Sequence, residues 1–140
     1  METVRLIAVI ALIVAASAFC SAVQAAGLSY VCEVTDFLIP PGQSKNAKWM
    51  AEVAAEVKGK TVTIDRQTGH VIGPVLGNSF FPRKEVLDFG SEDWSYDSIA
   101  LSAGPEHFTV NFYQVKEFHQ GLEKPFLAVV DGTAYVGTCR

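Results

Sequence analysis

Pro125–Cys139 reads PFLAVVDGTAYVGTC, and the reading of this stretch decides the fold. Asp131-Gly132 stands between two apolar runs, and both residues tolerate the positive φ that a type I′ hairpin turn demands. In that register Val130 opposes Thr133, Ala128 opposes Tyr135 and Phe126 opposes Gly137. Cys139 then shares a face with Phe126 and Tyr135, which is assigned to the interior. The other face carries Leu127, Val129, Ala134 and Val136 and is also apolar, so the hairpin needs cover on both sides.

Its cysteine is expected to pair with one at the far end of the chain, two free buried thiols being the alternative. Leu28–Thr35 (LSYVCEVT) alternates with period two, putting Leu28, Tyr30, Cys32 and Val34 on one face of a strand. A Cys32–Cys139 bond closes a loop of about 107 residues, worth roughly 4–5 kcal/mol in the chain-entropy model. It requires Cα atoms within about 7 Å, so the first and last strands must lie side by side or face one another. No Cys-x-x-Cys pair is present, which excludes thiol–disulfide oxidoreductase chemistry of that kind.

Between these ends the chain alternates short strand patterns with turn residues. Lys60–Asp65, His70–Gly73, Lys84–Phe89, Tyr96–Ser102 and His107–Phe118 read as strands. Arg66-Gln67-Thr68-Gly69 reads as a hairpin turn. On His107–Phe118, Phe108, Val110 and Phe112 face one way and Thr109, Asn111 and Tyr113 the other. Ser44–Lys58 fits a helix through Trp49, Val53 and Val57, with Ser44 as its cap and Gly59 as its end. The same segment also alternates as a strand would, but its Ala, Glu and Lys favour the helix. That helix is expected to cover the outer face of the final hairpin. The expectation is a mainly β (or α+β) domain: a compact antiparallel barrel or sandwich of seven to eight strands with one helix, its termini joined by a disulfide.

The N-terminus carries a different signal. Met1–Ala25 has Arg5, an apolar run from Leu6 to Ala18, and Val23-Gln24-Ala25 at its end, the three zones of a cleavable secretory signal. Residues 1–25 are therefore read as a signal peptide and 26–140 as a single β-rich domain. A retained anchor is the competing reading. Cleavage also removes Cys20, leaving Cys32 and Cys139 as the pair expected of a periplasmic or secreted chain.

Composition narrows the function. The chain has 140 residues, 49% of them hydrophobic, and a net charge of −4. That excludes a disordered chain and disfavours nucleic-acid binding, which needs clustered Lys and Arg. Once the signal is removed, no membrane association is expected.

Candidate sites are few. His107 and His119 are twelve residues apart on one extended stretch, about 40 Å if straight, and His70 stands beside a turn, so no histidine metal site is expected. Asp88, Glu92, Asp93 and Asp97 lie within LDFGSEDWSYD without the spacing of a calcium loop, and read as a solvated or partner-contacting surface. Trp94 and Tyr96 within it are either exposed interface anchors or core residues. Phe80 and Phe81 stand in a glycine-punctuated loop, as an apolar patch or tucked under the rim. No nucleophile elbow, phosphate-cradling loop or Ser-x-x-Lys occurs, so no catalytic residue and no cofactor are assigned.

Tyr30-Val31-Cys32, Ile64–Gly69 and Lys124–Leu127 running on to Tyr135–Cys139 resemble segments of a group of small exported bacterial proteins without assigned activity. The resemblance implies an exported β-rich fold with paired cysteines and carries over no catalytic residue. In general design the chain also looks like the periplasmic lysozyme-inhibitor barrels, although their Ser-Gly-x-x-Tyr signature is missing. The expected function is that of a non-enzymatic binding protein contacting a basic protein partner through Asp88–Asp97. The alternative is a carrier of a small apolar ligand inside the barrel.

Overall fold

The structure is a computed structural model that describes residues 28–40, 42, 46–105 and 107–140. The signal-peptide reading of 1–25, with Cys20, and the Ser44 cap lie outside the described residues. Eight antiparallel strands form one curled, half-barrel sheet: β1 (Ser29–Leu38), β2 (Thr61–Asp65), β3 (Val71–Ile72), β4 (Arg83–Phe89), β5 (Tyr96–Ala103), β6 (Phe108–Val115), β7 (Lys124–Val130) and β8 (Thr133–Cys139). Their order is β3-β2-β1-β8-β7-β6-β5-β4. Each neighbouring pair is adjacent in sequence except β1 and β8, which join two local meanders at one seam.

The final hairpin has the expected register, Val130 opposite Thr133 through Phe126 opposite Gly137. Asp131 at φ 49° and Gly132 at φ 78° supply its turn. Cys32 and Cys139 are register partners across the seam, with Cα atoms 3.9 Å apart, and are joined by a disulfide. Val31 and Arg140 exchange both backbone hydrogen bonds beside them, each 2.9 Å. The sulfurs therefore span a non-hydrogen-bonded position of the ladder, where side chains come closest.

The concave side holds the core. Tyr30, Cys32, Val34 and Phe37 of β1, Val62 and Ile64 of β2, Tyr96 and Ala100 of β5, Tyr113 and Val115 of β6 and Phe126 and Ala128 of β7 are buried there. Each buried aliphatic or phenylalanine side chain is worth roughly 1.5–3 kcal/mol. A bulge between Val34 and Asp36 shifts the alternation, so that Phe37 rather than Asp36 turns inward beside Tyr135.

The one described helix, α1 (Ala47–Val57), begins at Asn46, whose side chain accepts from the Trp49 N–H at 2.9 Å. It ends at Lys58, and Gly59 follows at φ 75°. Its Met50, Val53, Ala54 and Val57 pack against the concave cluster. The expectation that it covers the outer face of the final hairpin is thus corrected: the apolar stripe of α1 is spent on the core side, in the cluster that holds Val34 and Phe37.

Side chains on the convex side line up in rows across the strands. One row runs Ile99, Phe112, Val129, Ala134, Leu38 through successive register partners. The next runs Gln114, Leu127, Val136. On β6 the buried positions are Asn111, Tyr113 and Val115, which leaves Phe108, Val110 and Phe112 on the convex side.

Candidate functional site

Three connections meet where β4 and β6 end: the β2–β3 turn, the β4–β5 loop and the β6–β7 loop. Arg66 of the turn reaches all of them. Its guanidinium pairs with Glu117 at 3.1 Å, donates to the Phe89 carbonyl at 3.3 Å and lies 4.7 Å from the centre of the Tyr30 ring. Glu117 also accepts the Tyr30 hydroxyl. Its methylene packs on Gly90, where an added Cβ would come within 2.8 Å of it. The Arg66 and Glu117 side chains are only 27% and 16% exposed, so their attraction is less screened than that of a surface pair.

Behind this network the Tyr30 and Tyr96 rings meet edge to face at 5.2 Å, and the Tyr96 hydroxyl donates to the Asp65 carbonyl at 3.3 Å. Burial, with the Glu117 carboxylate added, drives the Tyr30 phenol well above its ordinary pKa; burial also raises Tyr96. These polar contacts stop the lower end of the half-barrel without a backbone ladder between β3 and β4.

A cleft of about 420 Å³ opens on the outer side of that stopper, lined by Glu92, Asp93, Glu117, Phe118, His119, Gln120 and Lys124. Lys124 is occupied: its ammonium donates to the Glu117 and His119 carbonyls at 3.0 and 2.5 Å. Arg66 answers Glu117. Among the described residues no ion pair engages Glu92 or Asp93, and these two carboxylates outweigh the single ammonium of Lys124, whose charge its carbonyl partners do not cancel, so the net charge of the cleft is negative. Phe118 in its lining is exposed, and exposed Trp94 (68%) and Leu122 belong to the two loops that supply the lining.

The sequence candidates separate accordingly. Glu92 and Asp93 line the cleft, and Trp94 is exposed next to them on a loop that Ser91 and Trp94 close through reciprocal backbone bonds of 3.1 and 3.4 Å. Asp88 is exposed and caps the Gly90 N–H at 2.8 Å. Asp97 is half-buried and accepts from Gln114 at 2.9 Å. Tyr96 is fully buried, which decides for the core between its two readings and removes it from the candidate binding residues: strand alternation turns it inward. Phe80 is 97% exposed while Phe81 packs against the core. Both precede Arg83, at the other end of β4 from the acidic loop, and do not join the cleft.

Sequence reasoning did not assign Arg66, Tyr30, Glu117, Phe118 or Lys124 to this site. β6 ends at Val115 rather than Phe118, so Lys116–Glu123 is a loop. Gly121 within it was the available signal. Among the described residues no group of three or more His, Cys, Asp or Glu is placed to hold a metal ion. No described helix is long and apolar enough to cross a membrane. Comparison with protein-family models, with curated proteins and with solved structures gives no match.

Proposed function

We propose that the protein is a non-enzymatic binding protein of the periplasm or extracellular space, which contacts a basic protein partner through the β4–β5 and β6–β7 loops. The observation that carries this reading is one cleft lined by Glu92 and Asp93, which no described ion pair engages, and by exposed Phe118, with exposed Trp94 next to Asp93 in the same loop. Carboxylates steer and pair with a cationic partner, and exposed rings add stacking and desolvated contact to a Lys or Arg side chain. The Arg66–Glu117–Tyr30 network supports it further by holding the three connections at fixed positions, which lowers the ordering cost of binding. The disulfide and the N-terminal apolar run support an exported location. The reading of an apolar ligand inside the barrel has less support, because Tyr96, Tyr113, Ile64 and Leu76 already occupy the interior.

The test is titration with a lysine- and arginine-rich peptide, followed at low and high salt through Trp94 emission in a Trp49→Phe background, since the chain has two tryptophans. Saturable binding that weakens with salt, and that Glu92→Lys with Asp93→Lys abolishes, is the expected result. Binding indifferent to both salt and the charge reversals sinks the proposal.

A further inference from the structure

We infer that the Cys32–Cys139 cross-link positions the β6–β7 loop, so that the cleft takes its binding shape only in the oxidised chain. The consequence for binding rests on the cleft reading above; the positioning itself rests on how the loop is tethered. Past the Val115–Phe126 pair, the Lys116 N–H donates to the Pro125 carbonyl at 2.9 Å, and Pro125 has no N–H to return. The ladder between β6 and β7 therefore gives out at the root of the loop. Arg66 apart, the side-chain tethers beyond that point come from residues grouped around the two cysteines. Lys124, the register partner of Cys139, donates its ammonium to the Glu117 and His119 carbonyls. Arg140, next to Cys139, donates to Glu123 from Nε at 3.2 Å and from Nη2 at 2.7 Å. Tyr30, two residues before Cys32 on the same face of β1, donates to the Glu117 carboxylate.

The cysteines sit where the seam most needs a covalent tie. Their pair is the outermost of the β1–β8 register on the side of the cleft, and a bulge interrupts that register between Val34 and Asp36. Three register pairs lie between the bulge and that end: Cys32–Cys139, Glu33–Thr138 and Val34–Gly137. Gly137 adds no side chain to the packing there. A chain end held by so short a ladder frays unless it is tied down, and fraying at Cys139 takes Lys124 and Arg140 with it. Closing the bond joins the two Sγ atoms. Two S–H bonds break, and two electrons and two protons pass to a disulfide oxidant, which leaves as two thiols. A reduced chain keeps the carboxylates of the β4–β5 loop but carries Phe118 and His119 on a loop without a fixed position. The cost of ordering that loop then falls on binding.

Hydrogen exchange read by mass spectrometry, on the oxidised natural chain and on Cys32→Ala with Cys139→Ala, tests the positioning without any ligand. The expected result is exchange about tenfold faster over residues 116–124 in the variant, with β5 unchanged. Acceleration of both segments together, or of neither, overturns the inference, because a cross-link that only stabilises the whole fold behaves in that way. Should the double variant not fold, Lys124→Met decides with the disulfide intact. Faster exchange over 116–124 supports the tether beside Cys139, and exchange at the wild-type rate overturns it. Capture of the lysine- and arginine-rich peptide is measured on the same chains and is expected to be at least tenfold weaker without the cysteines. Equal capture by both chains overturns the dependence on oxidation. Capture by neither, with the loop faster in the variant, supports the positioning and sinks the cleft reading alone.

Discussion

Gly137 lies so close to the backbone of Glu33 that a Cβ built on it would fall 1.9 Å from the Glu33 carbonyl oxygen. The obstacle is main chain of the neighbouring strand at the seam, and no rotamer change relieves it. Gly137→Ala is expected to destabilise the protein by about 2 kcal/mol or more, or to prevent folding, since overpacking against a fixed neighbour usually costs ~1–3 kcal/mol. Urea denaturation of the variant measures this; an unchanged midpoint contradicts so tight a seam.

The cross-link at the same seam predicts a second outcome. Replacing Cys32 and Cys139 together by Ala releases a loop of 107 residues. The expected loss is roughly 4–5 kcal/mol, a fall in melting temperature of about 10–20 °C. Calorimetry of the double variant, and of the wild type in strong reductant, checks it.

All four tyrosines have phenol pKa values raised, burial being the largest cause for each, and Tyr113 is pushed up to about 12. The folded state holds these protons more tightly than the unfolded chain, whose tyrosines ionise near ~10. The linked stability is complete below pH ~10 and is lost as pH rises through the folded values. Alkaline titration followed by tyrosinate absorbance should therefore show a late, cooperative step coincident with unfolding. A gradual rise around pH ~10 with the fold intact is the contrary result.

Glu117 is the shared acceptor of Arg66 and Tyr30, so removing it leaves a half-buried guanidinium and a buried phenol without their partner. Glu117→Ala should cost about 1–3 kcal/mol. Glu117→Gln should cost less, because the amide oxygen still accepts from Tyr30. The comparison is made by chemical denaturation, and equal losses in the two variants would assign the effect to packing alone.

Trp94 separates binding from stability. Its side chain is exposed, so Trp94→Ala should shift stability by no more than ~0.5 kcal/mol. The same variant should weaken capture of a cationic peptide at least tenfold, as loss of an aromatic interface anchor does. Paired melting and peptide-binding curves test both halves.

What was legible in the sequence follows from what is local. Asp131-Gly132 sets the β7–β8 register without outside help, and the cysteines locate the seam. The positions of the remaining strands follow from alternation between turn residues. Which face of β6 turns inward was not legible, because Asn111 rather than Phe108 or Val110 occupies the core side. That choice is made by register with β5 and β7 and by the Asp131 N–H, which Asn111 accepts at 3.4 Å. The side on which α1 packs depends on the core cluster that includes Phe37, turned inward by a bulge between Val34 and Asp36 that no residue pattern announces. The cleft was half legible: its acidic loop is contiguous in sequence, whereas Arg66 and Glu117 come together only after the sheet curls.

The strand order has a kinetic consequence. A chain emerging in order from a ribosome or through a narrow pore supplies β1–β3 early and β4–β7 later, each a set of neighbours able to pair as it appears. β8, the strand that welds the two sets together and carries the second sulfur, arrives after all the others. Final compaction is thereby postponed until β8 has emerged. Until then the polypeptide stays loose enough to be threaded, and the covalent bond records that the last step has taken place.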